Sequence, residues 1–191
     1  MGGFIREMAI EILRFAQKDS ETVSIRAVKL PPRLQTIARC IEKDAAVADV
    51  GTDHGLLPVY LALNSAARSV IASDKSAQSL NTAIRNAVEH GAAGMIRFVV
   101  ADGLTGICES DADTIVAAGL GGETIAKILE DAPWTKNQGV KLVLQPQTKI
   151  DKLCFWLLGN GYAIRDIVLT RDKGRVYTVV LAEGAHSGVE S

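Results

Sequence analysis

The chain has 191 residues, 48% of them hydrophobic, and a mean hydropathy of +0.16, enough for one domain with a sizeable buried core and too apolar for intrinsic disorder. Its formal net charge is −1 and its pI about 6.3, so a nucleic-acid partner has to be met by a local basic patch rather than by a global field. No apolar run reaches the roughly 18 residues of a membrane span, the N-terminus carries an early Glu7 and no secretory cleavage signature, and Cys40, Cys108 and Cys154 lack paired spacing, which points to reduced thiols in a cytoplasm and to no zinc site.

Phe4, Ile5, Met8, Ile12 and Phe15 fall close to helical spacing, and the polar Asp19-Ser20-Glu21-Thr22 follows. Residues 1–29 read as an N-terminal extension, 30–184 as the domain, and 185–191 as a tail. Pro31-Pro32 suits the first turn of a helix, and Leu34, Ile37, Ala38 and Ile41 give it a core-facing stripe. Arg33 stands in that first turn, where the helix dipole disfavours a cation, so a carboxylate or phosphate partner competes evenly with plain solvation. Strand-like runs then cover Ala45–Val50, Ser69–Ser73, Ile96–Val100, Thr114–Ala118 and Lys141–Leu144, and helix-like runs cover Leu57–Asn64, Ser76–His90, Gly122–Asp131 and Lys149–Asn160. Ser76 fits an N-cap and Gly91 a C′ stop. Tyr162–Thr170 and Val176–Ala182 flank Arg171-Asp172-Lys173-Gly174-Arg175 with no room for a crossover, which makes an antiparallel hairpin. The expectation is α/β: a mostly parallel seven-stranded sheet ending in an antiparallel hairpin, the layout of Rossmann-like class I methyltransferases.

Acidic residues mark three successive strand ends: Asp49 with Asp53, then Asp74, then Asp102. One alone is more often a turn or cap residue; three in succession point to the crevice at the carboxyl ends of the strands. Asp74 lies where an acid accepts hydrogen bonds from ribose hydroxyls, with Lys75 beside it, and Asp102-Gly103 where an adenine edge would rest. The turn Gly51-Thr52-Asp53-His54-Gly55 sets a carboxylate where a dinucleotide's pyrophosphate would approach. That disfavours NAD and favours a cofactor with an amino group and a sulfonium, S-adenosyl-L-methionine. Asp49, Gly51, Asp53, Gly55, Asp74, Lys75, Asp102, Gly103, Ala118 and Gly119 are therefore the candidate cofactor residues. Gly119-Leu120-Gly121-Gly122 suggests backbone contact with a flat group, against the alternative of a helix entry needing room to pack. Leu144-Gln145-Pro146-Gln147 offers two amides that could read a base edge, or simply a Pro-terminated strand. His54 is a candidate base or RNA contact against a structural role, His90 and His186 read as surface residues, and no nucleophile elbow or metal-ligand cluster is present.

The combination Leu30-x-x-Arg33-Leu34, Asp49-Val50-Gly51-Thr52-Asp53-His54-Gly55-x-Leu57-Pro58, Ala72-Ser73-Asp74, Asp102-Gly103-Leu104, Ala118-Gly119-Leu120-Gly121-Gly122 and Leu144-Gln145-Pro146 resembles the TrmK family, bacterial tRNA (adenine(22)-N1)-methyltransferases, from about Leu30 to Ala182. The resemblance implies methylation of an adenine N1 in the D-arm region of tRNA, with S-adenosyl-L-methionine as cofactor and tRNA as partner. Asp53 and His54 become the candidate catalytic pair, and Arg33, Leu120, Gly121, Gly122, Gln145 and Pro146 the candidate substrate contacts, with Arg39, Lys43 and Lys149 as further phosphate contacts. A cytoplasmic monomer without metal is the expectation.

The sequence departs from the family at Pro32, where Ser is usual, at Cys154, where the following helix usually carries Arg, and conservatively at Leu120 for Met. Family members continue into a coiled-coil-like C-terminal extension, whereas this sequence ends at Ser191, which bears on RNA affinity more than on cofactor binding. Two alternatives stay open: a cofactor-binding module without tRNA methylation, and a methyltransferase for another substrate.

Overall fold

The computed structural model describes residues 28–185. The helical spacing over residues 4–18 and His186 lie outside them. The first element of the described residues is α1 (Pro32–Cys40), whose first helical residue is the proline that needs no N–H partner. There follow β1 (Ala45–Val50), α2 (Leu56–Leu63), β2 (Ala67–Asp74), α3 (Ala77–Glu89) and β3 (Ile96–Val100). The second half comprises β4 (Thr114–Gly121), α4 (Gly122–Glu130), β5 (Lys141–Thr148), α5 (Ile150–Gly159), β6 (Tyr162–Asp172) and β7 (Arg175–Gly184). The caps are those read from the sequence: the Ser76 hydroxyl accepts the Ser79 N–H at 3.2 Å, and Gly91 takes the left-handed conformation that ends α3.

The seven strands form one sheet in the order β3-β2-β1-β4-β5-β7-β6, parallel except for β7. All six residues of β1 are buried, as expected of a central strand covered on both faces. Packing against α1, α2 and α3 centres on Ile37, Val47, Leu61, Val116 and Val179. The opposite face packs Ile115, Ile125, Leu129, Leu144 and Leu157 against α4 and α5. No helix connects β3 to β4; loop residues Leu104, Ile107 and Ala112 cover that part of the face instead. The two chain directions away from β1, to β2 on one side and to β4 on the other, open a crevice at the carboxyl ends of these strands.

β4 and β5 run three and four residues further at their C-terminal ends than the hydrophobic pattern indicates. β4 continues past Ala118 through a register shift around Gly119, whose φ of 78° belongs to glycine, so the bulge turns the backbone at the lip of the crevice. β5 continues past Leu144 because Pro146 still aligns with Leu120 of β4. On its other side, Pro146 has no N–H to offer β7, and that ladder stops at Leu144–Val180. The β6–β7 hairpin closes between Asp172 and Arg175 over Lys173 and Gly174, both at positive φ, the two-residue turn whose twist matches paired strands.

Candidate functional site

The crevice holds a cavity of about 460 Å³ at the ends of β1, β2, β3 and β4. Its floor is Asp49, only 5% exposed, whose carboxylate accepts the Thr52 hydroxyl at 2.8 Å. Burial pushes the Asp49 carboxyl up from an ordinary 3.8 to about 6, and the nearby Asp74 charge adds to this, while the Thr52 hydrogen bond and the Arg33 charge oppose it. The turn above is hung from β2: the N–H groups of Gly51 and Thr52 donate to the Ser73 carbonyl at 2.9 and 3.0 Å. Asp74 ties the same turn to α3, one carboxylate oxygen accepting the Asp53 N–H at 3.3 Å and the other the Ser76 N–H at 2.8 Å. Each oxygen keeps a lone pair for a further donor.

Asp53 and His54 stand at the rim, with side chains 72% and 63% exposed, the imidazole Nε2 lying 3.7 Å from the Asp53 carboxylate. The His54 carbonyl accepts the Asn86 amide at 2.8 Å, which anchors the rim to α3. Asp102 and Gly103 line the cavity from the end of β3, and Ala118, Gly119 and Leu120 from the bulged end of β4. Arg33 lines it from α1 and has no carboxylate within 4.0 Å among the described residues. Asp49, Asp53, Asp74 and Asp102 face only Arg33 and Lys75 as fixed cations, so the cavity suits a cationic ligand with hydroxyls and repels a pyrophosphate. Leu34, Leu57, Ala101 and Ile128 give it apolar walls on which a flat ring can lie. This donor and acceptor set fits S-adenosyl-L-methionine.

Six residues expected at the site or on phosphate stand elsewhere. Gln145 is fully buried, and its amide nitrogen donates to the Pro146 carbonyl at 3.2 Å, so it cannot read a base. Gln147, two residues on along the same strand, is the amide at the cavity. Pro146 lies under a second, smaller cleft. Gly55 is required by packing, since a Cβ there would stand 2.7 Å from the Ala83 Cβ across the α2–α3 contact. A Cβ on Gly122 would run into the Lys149 carbonyl and lie 2.9 Å from the Thr148 carbonyl, which makes it the helix entry needing room. Gly121 meets the Thr148 hydroxyl in the same way, at 3.3 Å. Lys149, expected on phosphate, is instead paired with Glu123, which Lys152 also contacts.

Thr52, Ser76, Ser79, Thr124 and Ile128 line the cavity without having been singled out as ligand contacts. Ser76, Ser79 and Thr124 share a signal of position, at the first turns of α3 and α4 after strand ends that carry the acids and glycines; Thr52 lies within the Gly51–Gly55 turn and Ile128 one turn further along α4. Among the described residues, no group of three His, Cys, Asp or Glu side chains could hold a metal ion, and no helix is long and apolar enough to cross a membrane.

A methyltransferase-domain family model matches residues 30–180. The tRNA (adenine(22)-N(1))-methyltransferase of Bacillus subtilis is 36% identical over 156 residues, covering 82% of this chain and 66% of that protein. The crystal structure of that organism's m1A22 tRNA methyltransferase TrmK superposes with a TM-score of 0.76 at 36% identity, over 83% of this chain and 68% of that one. Sp1610 of Streptococcus pneumoniae, solved in complex with S-adenosyl-L-methionine, gives a TM-score of 0.75 at 31% identity, over 83% and 75%. The chain spans about two thirds of the length of three curated tRNA methyltransferase relatives it matches, 66% to 70%. With the sheet order, the acid-lined crevice and these likenesses together, the chain belongs to the TrmK family of Rossmann-like methyltransferases.

Proposed function

We propose that the protein methylates N1 of an adenine in tRNA, at position 22 in the D-arm region, acting as a monomer in the cytoplasm. The observation that carries this is the polarity of the cavity: buried Asp49 and the bound-up Asp74 at its base, exposed Asp53 and His54 with Arg33 and Gln147 around its mouth. When bound, S-adenosyl-L-methionine supplies an electrophilic methyl group on a sulfonium. Asp49 and Asp74 would hold its cationic and hydroxyl groups, and Asp102 and Gly103 would hold its adenine. The apolar wall excludes water from the path of the methyl group.

The target adenine has to leave its stack, at a cost of roughly a few kcal/mol, and enters from the mouth. The backbone of Gly119 at the bulge receives its face. The N1 lone pair lies in the ring plane and needs positioning more than deprotonation. Asp53 accepts the exocyclic N6–H, which raises electron density at N1 and stabilises the positive charge that the methylated ring acquires. His54, 3.7 Å away, orients that carboxylate. Arg33 contacts a phosphate of the strand.

The test is Asp53→Ala with an unmodified tRNA transcript. The methyl-transfer rate at saturating cofactor is expected to fall by at least about a hundredfold, in the range of one lost electrostatic contact, with cofactor affinity measured separately by calorimetry. Unchanged turnover would remove Asp53 from the mechanism.

A further inference from the structure

The ladder between β5 and β7 ends at Leu144–Val180, short of Pro146, and beyond it the two strands leave a cleft of about 170 Å³ lined by Pro146, Gln147, Ile150, Arg175, Tyr177 and Thr178. Gln147 also lines the main cavity, so the two are adjacent across a single side chain. The smaller cleft has room for one flat group. Because β6 runs parallel to β1–β5, the hairpin tip projects from the edge of the sheet on which both cavities open.

That tip is cationic. Arg171, Lys173 and Arg175 are all exposed, and none has a carboxylate within 4.0 Å among the described residues. Its one acid, Asp172, is buried. Two lysines of the segment that opens α5, Lys149 and Lys152, are by contrast both engaged by Glu123. Lys173 also occupies the first turn position at a φ of 45°, where Asn, Asp or Gly is the ordinary choice. The main cavity is rich in carboxylates and offers phosphate only Arg33 and Lys75, so in a chain of negative net charge further cations outside the cavity are needed to attract RNA.

We infer that the β5–β7 cleft and the β6–β7 hairpin tip form a second RNA-binding site, which holds the nucleotide next to the adenine being methylated. Tyr177 and the Arg175 guanidinium take the neighbouring base in the cleft by stacking, and Arg171 and Lys173 take the phosphates that follow. Stacking on an aromatic ring beside a cationic track is how single-stranded RNA is gripped without reading its sequence. Gln147 stands between the two bases and separates them. This rests on the proposed tRNA methylation.

The experiment measures retention of an unmodified tRNA transcript on filters at two salt concentrations, for the full chain and for Arg171→Gln/Lys173→Gln/Arg175→Gln. The two lost phosphate contacts, those of Arg171 and Lys173, remove about 0.7 to 0.9 each from the salt slope, so the fall in affinity between about 50 and 200 mM salt shrinks by about 7- to 12-fold relative to the parent. Cofactor affinity, measured by calorimetry, is expected to stay at the parent's value. An unchanged salt slope in a variant that still binds cofactor overturns the second site, while tRNA methylation by the parent would leave the proposed function standing. A parent that binds cofactor but neither retains nor methylates tRNA overturns both. If the triple variant loses cofactor affinity through misfolding, Lys173→Asn decides: Asn-Gly is favoured in this turn, so the variant folds, and a slope unchanged by its one lost cation overturns the inference.

Discussion

Replacing Asp49 by Asn tests the floor of the cavity. Thr52 still finds an acceptor on the amide oxygen, so the local geometry survives while the titratable charge is lost. With its carboxyl moved from 3.8 to about 6, the buried Asp49 charge costs the empty parent about 3 kcal/mol at neutral pH. The folded-state value lies above the unfolded one, so this group's contribution is full below about pH 4 and is lost as pH rises through about 6. Between about pH 5 and 7 the parent gives up about 1 kcal/mol from this group alone.

Urea unfolding of parent and variant across that window isolates the effect, because every other titrating group is common to both. The absolute stability of the variant is the weaker readout, since a new buried amide N–H costs about 1–3 kcal/mol if it finds no acceptor. Cofactor binding moves the other way in the parent. A cationic ligand favours ionised Asp49, so its affinity rises by up to about tenfold from about pH 5 to 7, and the Asn variant loses this rise together with affinity. A variant with the parent's pH dependence in both measurements would refute the assignment of the buried charge to Asp49.

Asp74→Asn leaves only one acceptor for the two N–H groups of Asp53 and Ser76; cofactor affinity by calorimetry is expected to fall by about 1.5–3 kcal/mol, as for a lost charge-assisted hydrogen bond. Gly122→Ala pushes a methyl onto backbone carbonyls of 148 and 149 that cannot rotate away; urea unfolding should show a loss of about 1–3 kcal/mol. Gly119→Ala meets no backbone and faces Gln147 at 3.5 Å, but φ is 78°; a stability loss of about 1–2 kcal/mol is expected, with a raised KM for tRNA as the methyl narrows the mouth. Tyr162→Phe removes the buried hydroxyl that donates to Thr135 at 2.7 Å; thermal unfolding should register about 0.5–1.5 kcal/mol, with no change in KM for either substrate.

The acids at strand ends were legible in the sequence because their placement is local. A short apolar run followed by Asp49, Asp74 or Asp102 puts the carboxylate at the crevice whatever the rest of the chain does. The turn glycines were half legible. Gly51 and Gly119 take positive φ and line the cavity, whereas Gly55 and Gly122 answer to Ala83 and Lys149, residues 28 and 27 positions away in sequence. No local pattern separates a glycine that admits a ligand from one that admits a helix.

Of the two amides expected to read a base edge, only Gln147 lines the cavity, for a similar reason. Pro146 reads as a strand end, but β4 holds β5 in register beyond it, so the outer amide reaches the cavity and the inner one enters the core. The Gln145 carbonyl oxygen has no hydrogen-bond partner among the described residues, and nothing in the structure explains its retention in the interior. The hairpin cations were legible as residues but not as a surface, because their meaning depends on which other cations are paired and on the direction of β6.

The measurement closest to the central claim is incubation of the full chain with labelled S-adenosyl-L-methionine and an unmodified tRNA transcript, followed by mapping of the modified base by reverse-transcription arrest. The expected result is one methyl group per tRNA, on N1 of a single adenine in the D-arm region, lost in Asp53→Ala. Cofactor bound at the cavity with no label on RNA, or label spread over many adenines, would contradict it.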